Sequence, residues 1–382
     1  MLITGQHSAR PERGHVAALT GLRGFAALVV VAVHASGPTA YPWFGLHTFG
    51  PIALFALSGF LLFQPWSAWL LAQQGRPVLR TYAVRRVLRI FPAWLVTLLL
   101  IALIYPLSRP QGSKDWLLSL TLTQTASPAG LRPGLEQAWS LGTELSWYVV
   151  VPILGAVAAF AVRRLGLRPI YSVTGLVIFS LLITALWRVD LAARADDVAA
   201  QLTRSFWLPA YLVCFVGGAA IAHLMLTERA GLIPGRPLRW LGDRPWLVLV
   251  LALLTGAVAN SRLGGDWGWV IHTPSEVTIR FVFTTLLALV LLAGIASPSR
   301  GTFVTGFFAS RFMVALGRWS YSLYLWHLPV REVLMEYIDI PQGFLGMLLW
   351  FAVLLGISLP ISAASYAFVE RPAITFSRKV RL

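Results

Sequence analysis

The sequence predicts an all-α fold: a polytopic transmembrane bundle of about ten helices with both termini in the cytoplasm. Three observations lead there. Of the 382 residues, 57% are hydrophobic and only 12% are charged, against about 45–50% and about 25% in soluble domains. The mean hydropathy is +0.71. Apolar stretches long enough to cross a bilayer recur along the chain, and basic residues gather in every second loop between them. The formal charge of +16 therefore marks topology, and no nucleic-acid partner is expected. The single cysteine, Cys214, lies in an apolar run. That excludes disulfides and cysteine-based metal sites and makes Cys214 a packing residue.

Residues 1–15 are polar, with His7, Arg10, Arg13 and His15, and are expected to form a disordered cytoplasmic lead. One transmembrane domain is expected over residues 16–370, followed by a basic cytoplasmic tail at 371–382. Spanning segments are placed near 17–36, 47–64, 87–106, 138–161, 169–187, 205–226, 245–260, 277–297, 312–330 and 343–369. A signal-peptide reading of 24–33 is disfavoured, because Arg23 interrupts the run and another helix follows at once. The seventh segment is short and flanked by Gly and Asn. The stretch 115–126 reads as an interfacial helix rather than a span. With the N-terminus in the cytoplasm, 22 of the 31 Lys/Arg residues fall on the inside and nine on the outside. Among the inside loops, 228–244 alone holds four arginines. The outer loops hold most of the acids, such as Asp190, Asp196 and Asp197.

Few ionisable groups interrupt the apolar runs, and an ionisable group inside a bilayer is a functional candidate by default. Arg23 and His34 are eleven positions apart in LTGLRGFAALVVVAVHAS. Eleven helical steps come to about 20° past three full turns, so the two share a face about 16 Å apart in depth. A neutral imidazole there can take a proton from a hydroxyl or be acylated itself. Glu144 enters its helix about 8 Å below the outer surface. It is either a helix N-terminal acid favoured by the dipole or a partner that orients His34. In LGRWSYSLYLWHLPV, His327 is either a second polar wall of a cavity or an interfacial residue, and Ser320, Ser322 and Tyr324 add hydroxyls to the same helix. Arg86 and Arg89 in RRVLRIFP lie three apart on one helix face. They serve either as positive-inside anchors or as a phosphate clamp. Together with Arg23 they would form a cationic mouth facing the cytosol.

These motifs occur in an order that resembles the acyltransferase-3 family of integral membrane acyltransferases. Arg23 and His34 match its Arg-x10-His pattern, LFALSGFLL its second-helix motif, and Arg86 and Arg89 its Arg-x-x-Arg. WSLGTE (139–144) is similar to its Trp-Ser-Leu-x-x-Glu, and SYSLYLWHLP and FVERP match its last two helices. Thr20 stands where many members have aspartate, and Leu54–Phe55 replaces a pair of phenylalanines. The chain ends at Leu382 and so resembles the stand-alone members rather than those with an added SGNH hydrolase-like domain.

The resemblance implies a cytosolic acyl-CoA donor (acetyl-CoA by default), no metal, and transfer to a hydroxyl of a sugar, glycolipid or macrolide. His34 would be the catalytic base with Glu144 fixing its tautomer, and Arg86, Arg89 and Arg23 would hold CoA. Ser320, Tyr324, Trp139 and His327 are candidate acceptor contacts. The Ala/Arg-rich, lysine-poor composition suits a high-GC bacterium and hence a bacterial cytoplasmic membrane. The rival reading is a proton-coupled transporter or glycolipid flippase, with His34 and Glu144 as a proton relay.

Overall fold

A computed structural model describes residues 9–39, 48–127, 130–194, 196–266 and 273–379. The described residues form ten long helices and no strand. They are α1 (Ala9–Ser36), α2 (Phe49–Leu70), α3 (Leu79–Ile104), α4 (Trp139–Arg164), α5 (Pro169–Ala193), α6 (Leu212–Arg229), α7 (Pro245–Ala259), α8 (Pro274–Ala296), α9 (Arg311–Met335) and α10 (Gly343–Ser365). The helices correspond one to one with the ten expected segments. Eight are long and apolar enough to cross a membrane, and the chain is a multi-pass membrane protein.

Three details differ from or refine the expectation. Helix α1 already begins at Ala9, so residues 9–15 are helical rather than irregular. Pro11 is tolerated there because it sits in the first turn, where no intrahelical N–H bond is lost; residues 1–8, with His7, lie outside the described residues. Helix α7 has 15 residues, a rise of about 22 Å, short of a hydrocarbon core of about 30 Å. The stretch 115–126 overlaps a nine-residue helix, Gly112–Leu120, too short to span. The basic tail is helical over Arg371–Lys379. It follows α10 through a π-helical turn at Tyr366–Glu370 and packs against α3.

Helix α9 has the length of a span, at 25 residues, but not the apolarity. It is polar because it runs through the interior of the bundle. Ser322, Leu323, Leu325 and His327 have no exposed surface. What lets it sit there is glycine. A Cβ on Gly317 would lie 1.9 Å from the backbone oxygen of Thr20, and one on Gly24 would lie 2.6 Å from the Gly317 nitrogen. In a bilayer there is no hydrophobic drive between helices, so small residues that allow backbones to touch supply the packing energy. A second pair repeats the device: a Cβ on Gly59 of α2 would meet the Phe215 oxygen of α6 at 1.8 Å.

The α1–α9 contact also sets a register. Gly24 and Gly317 meet, and ten residues further along each helix stand His34 and His327. The helices run parallel, so both histidines arrive at one depth, about 15 Å beyond the glycine contact. We expect Gly317→Leu to push α1 from α9 at an overpacking cost of about 1–3 kcal/mol. It should lower the midpoint of a detergent thermal melt, whereas Gly306→Leu, where a Cβ meets nothing within 4 Å, should leave it unchanged.

Candidate active site

The two histidines are hydrogen-bonded to each other, His327 Nε2 to His34 Nδ1, at 3.2 Å. Each also turns its Nδ1 back on its own helix: His34 toward Val30 O at 2.9 Å and His327 toward Leu323 O at 3.1 Å. A carbonyl only accepts, so both Nδ1 atoms carry hydrogen. In the neutral pair the one His34 Nδ1–H is shared between Val30 O and His327 Nε2, which makes Nε2 the unprotonated nitrogen of His34. The tautomer of His34 is thus fixed by a carbonyl and a second imidazole, a stack of hydrogen bonds that begins at the α9 backbone.

Pro329 shapes the same turn of α9. Having no N–H, it cannot bond the carbonyl four residues earlier. That carbonyl, Leu325 O, instead accepts from Gln137 Nε2 at 2.8 Å. Gln137 O in turn accepts from Tyr324 at 2.9 Å, and Tyr324 Oη pairs with Ser140 Oγ at 2.7 Å. The start of α4 is therefore stitched to α9 beside the histidines.

Toward the basic end of the bundle lies a cavity of about 100 Å³. Its lining brings together Arg23, Arg86, Arg89 and Glu144 with the hydroxyls of Ser58, Ser140, Tyr148, Ser320, Tyr321 and Tyr324. The i, i+3 reasoning holds here: Arg86 and Arg89 face inward while Arg85 is exposed. Arg89 Nη1 bonds Glu370 at 2.7 Å, and its guanidinium lies 5.4 Å from the Tyr321 ring centroid. Arg86 lies 5.7 Å from the Tyr148 ring centroid. Among the described residues neither Arg23 nor Arg86 forms an ion pair. The lining thus presents three guanidiniums to one carboxylate and suits an anion. A wider opening of about 380 Å³ adjoins it at Arg23 and Leu61, lined also by Thr20, Gln64 and Arg229.

Three expectations are corrected. Glu144 does not orient His34. Its carboxylate accepts from Ser58 at 3.1 Å and Tyr148 at 2.8 Å, in the arginine cavity. The depth estimate for Glu144 carried no information on which neighbour its helix face meets. His327 does not line the cavity; it is fully buried against His34, with Tyr324 between it and the cavity wall, ring centroids 5.9 Å apart. Trp139 packs on Phe55, Phe206 and Tyr211, at centroid distances of 6.0, 4.9 and 5.3 Å, and does not line the cavity. On a helix it points about 140° away from Glu144. Ser320 and Tyr324 line the arginine cavity. His34 lies outside the lining. Among the described residues no three His, Cys, Asp or Glu side chains gather as a metal site.

Glu370 was not singled out from the sequence, although it sits in FVERP. It is buried, at 1% exposure, and accepts from both Arg89 and Ser322 Oγ, the latter at 2.5 Å. The π-turn at Tyr366–Glu370 carries it inward, and such turns recur at functional sites.

The acyltransferase-domain family matches residues 16–367. The chain belongs to that family, acyltransferase-3. It is 22% identical to the peptidoglycan O-acetyltransferase OatA of Listeria monocytogenes over 96% of this chain and 57% of that protein. To the acyltransferase MdmB of Streptomyces mycarofaciens it is 26% identical over 84% of this chain and 80% of that one. The putative peptidoglycan O-acetyltransferase YrhL of Bacillus subtilis is 24% identical over 98% of this chain and 58% of its own length. The chain thus spans just over half the length of two of these relatives. No solved structure matches it.

Removing one partner of a buried ion pair strands the other charge, at a cost of about 3–5 kcal/mol. Arg89 is 23% exposed at its side chain, so its share is smaller. We expect Glu370→Ala to lower the thermal midpoint clearly, and Arg89→Gln/Glu370→Gln to recover part of that loss in the same melt.

Proposed function

We propose that this chain is a membrane O-acyltransferase of a bacterial cytoplasmic membrane. It moves an acyl group, acetyl by default, from cytosolic acyl-CoA to a hydroxyl of a cell-surface or lipid-linked sugar or of a macrolide-type metabolite. The observation that carries the reading is an arginine-lined cavity that Arg23 enters from the same helix as His34, a histidine whose basic nitrogen is fixed by a second histidine. CoA is a polyphosphate with a long thin arm. Its charges suit Arg23, Arg86 and Arg89, while the arm suits a reactive imidazole about 16 Å further along α1. The family and the names of the bacterial relatives agree with this chemistry.

In the step we propose, the acceptor oxygen attacks the thioester carbonyl carbon as His34 Nε2 takes the hydroxyl proton. His34 becomes an imidazolium, and its Nδ1–H bond to His327 Nε2 becomes charge-assisted and stronger. The tetrahedral oxyanion collapses, an ester forms, and the C–S bond breaks. The departing thiolate receives the proton back from His34, which leaves free CoA. Exclusion of water in the bundle strengthens every charge interaction along this path. Glu144 bonds Ser58 and Tyr148 rather than His34, so the direct His34–Glu144 pair of the transporter reading is not formed.

The test is release of CoA thiol from acetyl-CoA by the purified protein, with a panel of sugar and macrolide acceptors. We expect release to require His34, with His34→Ala lowering turnover about 10²–10⁴-fold. His327→Ala should lower it less, by about tenfold or more, at unchanged donor affinity. Label retained on the protein without acceptor would replace the base role of His34 with an acyl-histidine intermediate. Absence of both binding and cleavage of any short-chain acyl-CoA would overturn the assignment.

A further inference from the structure

Resting on the acyl-CoA reading, we propose that a second basic groove, formed by residues 231–244, holds the phosphoadenosine end of CoA. The groove is open to the surface, spans about 550 Å³ and is lined by Arg236, Arg239, Arg244, Trp240 and Asp243 among others. Its volume falls in the range of about 300–1,000 Å³ common to small-molecule sites.

The groove is built rather than merely charged. Arg244 Nη1 donates to Trp240 O at 2.9 Å, which holds its guanidinium 4.2 Å from the indole centroid. The indole is 49% exposed, and a purine can stack on such a surface. Arg239 adds a third guanidinium to the lining. Arg236 is held at φ 43° just before Pro237, a left-handed backbone that disfavours any residue with a Cβ. The carboxylate of Asp243 is occupied by the Ser299 N–H at 2.7 Å and by Ser299 Oγ at 2.5 Å. Positive-inside anchoring needs only exposed cations and does not explain the ordered Arg–Trp pair.

Position supplies the second argument. Glu228, at the end of α6, accepts from the backbone N–H groups of Leu238 and Arg239 at 2.5 and 3.3 Å and so anchors the groove floor. The next residue, Arg229, lines the opening that adjoins the inner cavity at Arg23. Glu228 and Arg229 are consecutive, so the groove floor and the opening share one helix end. In this reading the groove takes the phosphoadenosine, Arg23, Arg86 and Arg89 take the pyrophosphate, and the arm runs on along α1 toward His34. A lipid headgroup would use the arginines but neither the indole nor the route inward.

The experiment uses the full chain in phosphatidylcholine nanodiscs, titrated with CoA, 3′-dephospho-CoA and 4′-phosphopantetheine. We expect Arg239→Gln/Arg244→Gln to weaken CoA about 10- to 100-fold and to leave 4′-phosphopantetheine within about twofold of wild type. That second ligand also reports that the variant is folded. In turnover the same variant should raise the KM for acyl-CoA and keep kcat. CoA binding unchanged in this variant but lost in Arg86→Gln would overturn the groove while leaving the donor reading intact. In a parallel set of nanodiscs doped with phosphatidylglycerol, loss of bound phosphatidylglycerol in the variant with CoA affinity unchanged would reassign the groove to a lipid headgroup. A wild type that binds none of the three ligands would overturn both readings together.

Discussion

Backbone contact between α1 and α9 is the constraint on which the rest of this molecule depends. Gly24 and Gly317 let the two helices touch with no side chain between them. In water such a contact would add little, but in lipid close packing is one of the few forces that hold helices together. The contact also acts as a ruler. Because both histidines lie ten residues beyond it on parallel helices, their meeting at 3.2 Å follows from the glycines. A polar helix such as α9 is acceptable inside the bundle only because its polar groups are consumed in this way, by His34, Gln137, Ser140 and Glu370.

The site divides into two parts with different physics. Around His34 the hydrogen bonds are short-range, directional and anchored to backbone carbonyls, so they determine which nitrogen is basic. Around Arg23, Arg86 and Arg89 the interactions are charge and shape: Glu370 and the Tyr321 ring fix Arg89, the Tyr148 ring lies near Arg86, and among the described residues Arg23 and Arg86 form no ion pair. A donor with an anionic head and a neutral reactive end matches such a division. Tyr324 belongs to both parts, since it lines the cavity and packs on His327.

Much of this was legible in the sequence because helical periodicity fixes direction. Arg23 with His34, and Arg86 with Arg89, needed only the angle per residue. The ten helices were legible from apolar length and the alternation of basic loops, although periodicity could not show that α7 falls short of a span. What the sequence hid was azimuth between helices. Glu144 and His34 were assigned similar depths, yet they face different neighbours. Trp139 shares a motif with Glu144 but points into an aromatic cluster. Glu370 was hidden for another reason: a π-turn shifts the helix register just before it, so counting along α10 at 100° per residue misplaces its side chain.

The break at Pro329 ties two distant positions into one inherited unit. With proline at 329, the Leu325 carbonyl depends on the Gln137 amide; with any other residue there, a backbone N–H would reclaim it. Loss of the amide at 137 therefore strands the Leu325 carbonyl only while 329 is proline. An alignment column for a loop-side glutamine would report on the shape of a helix 188 residues away in sequence.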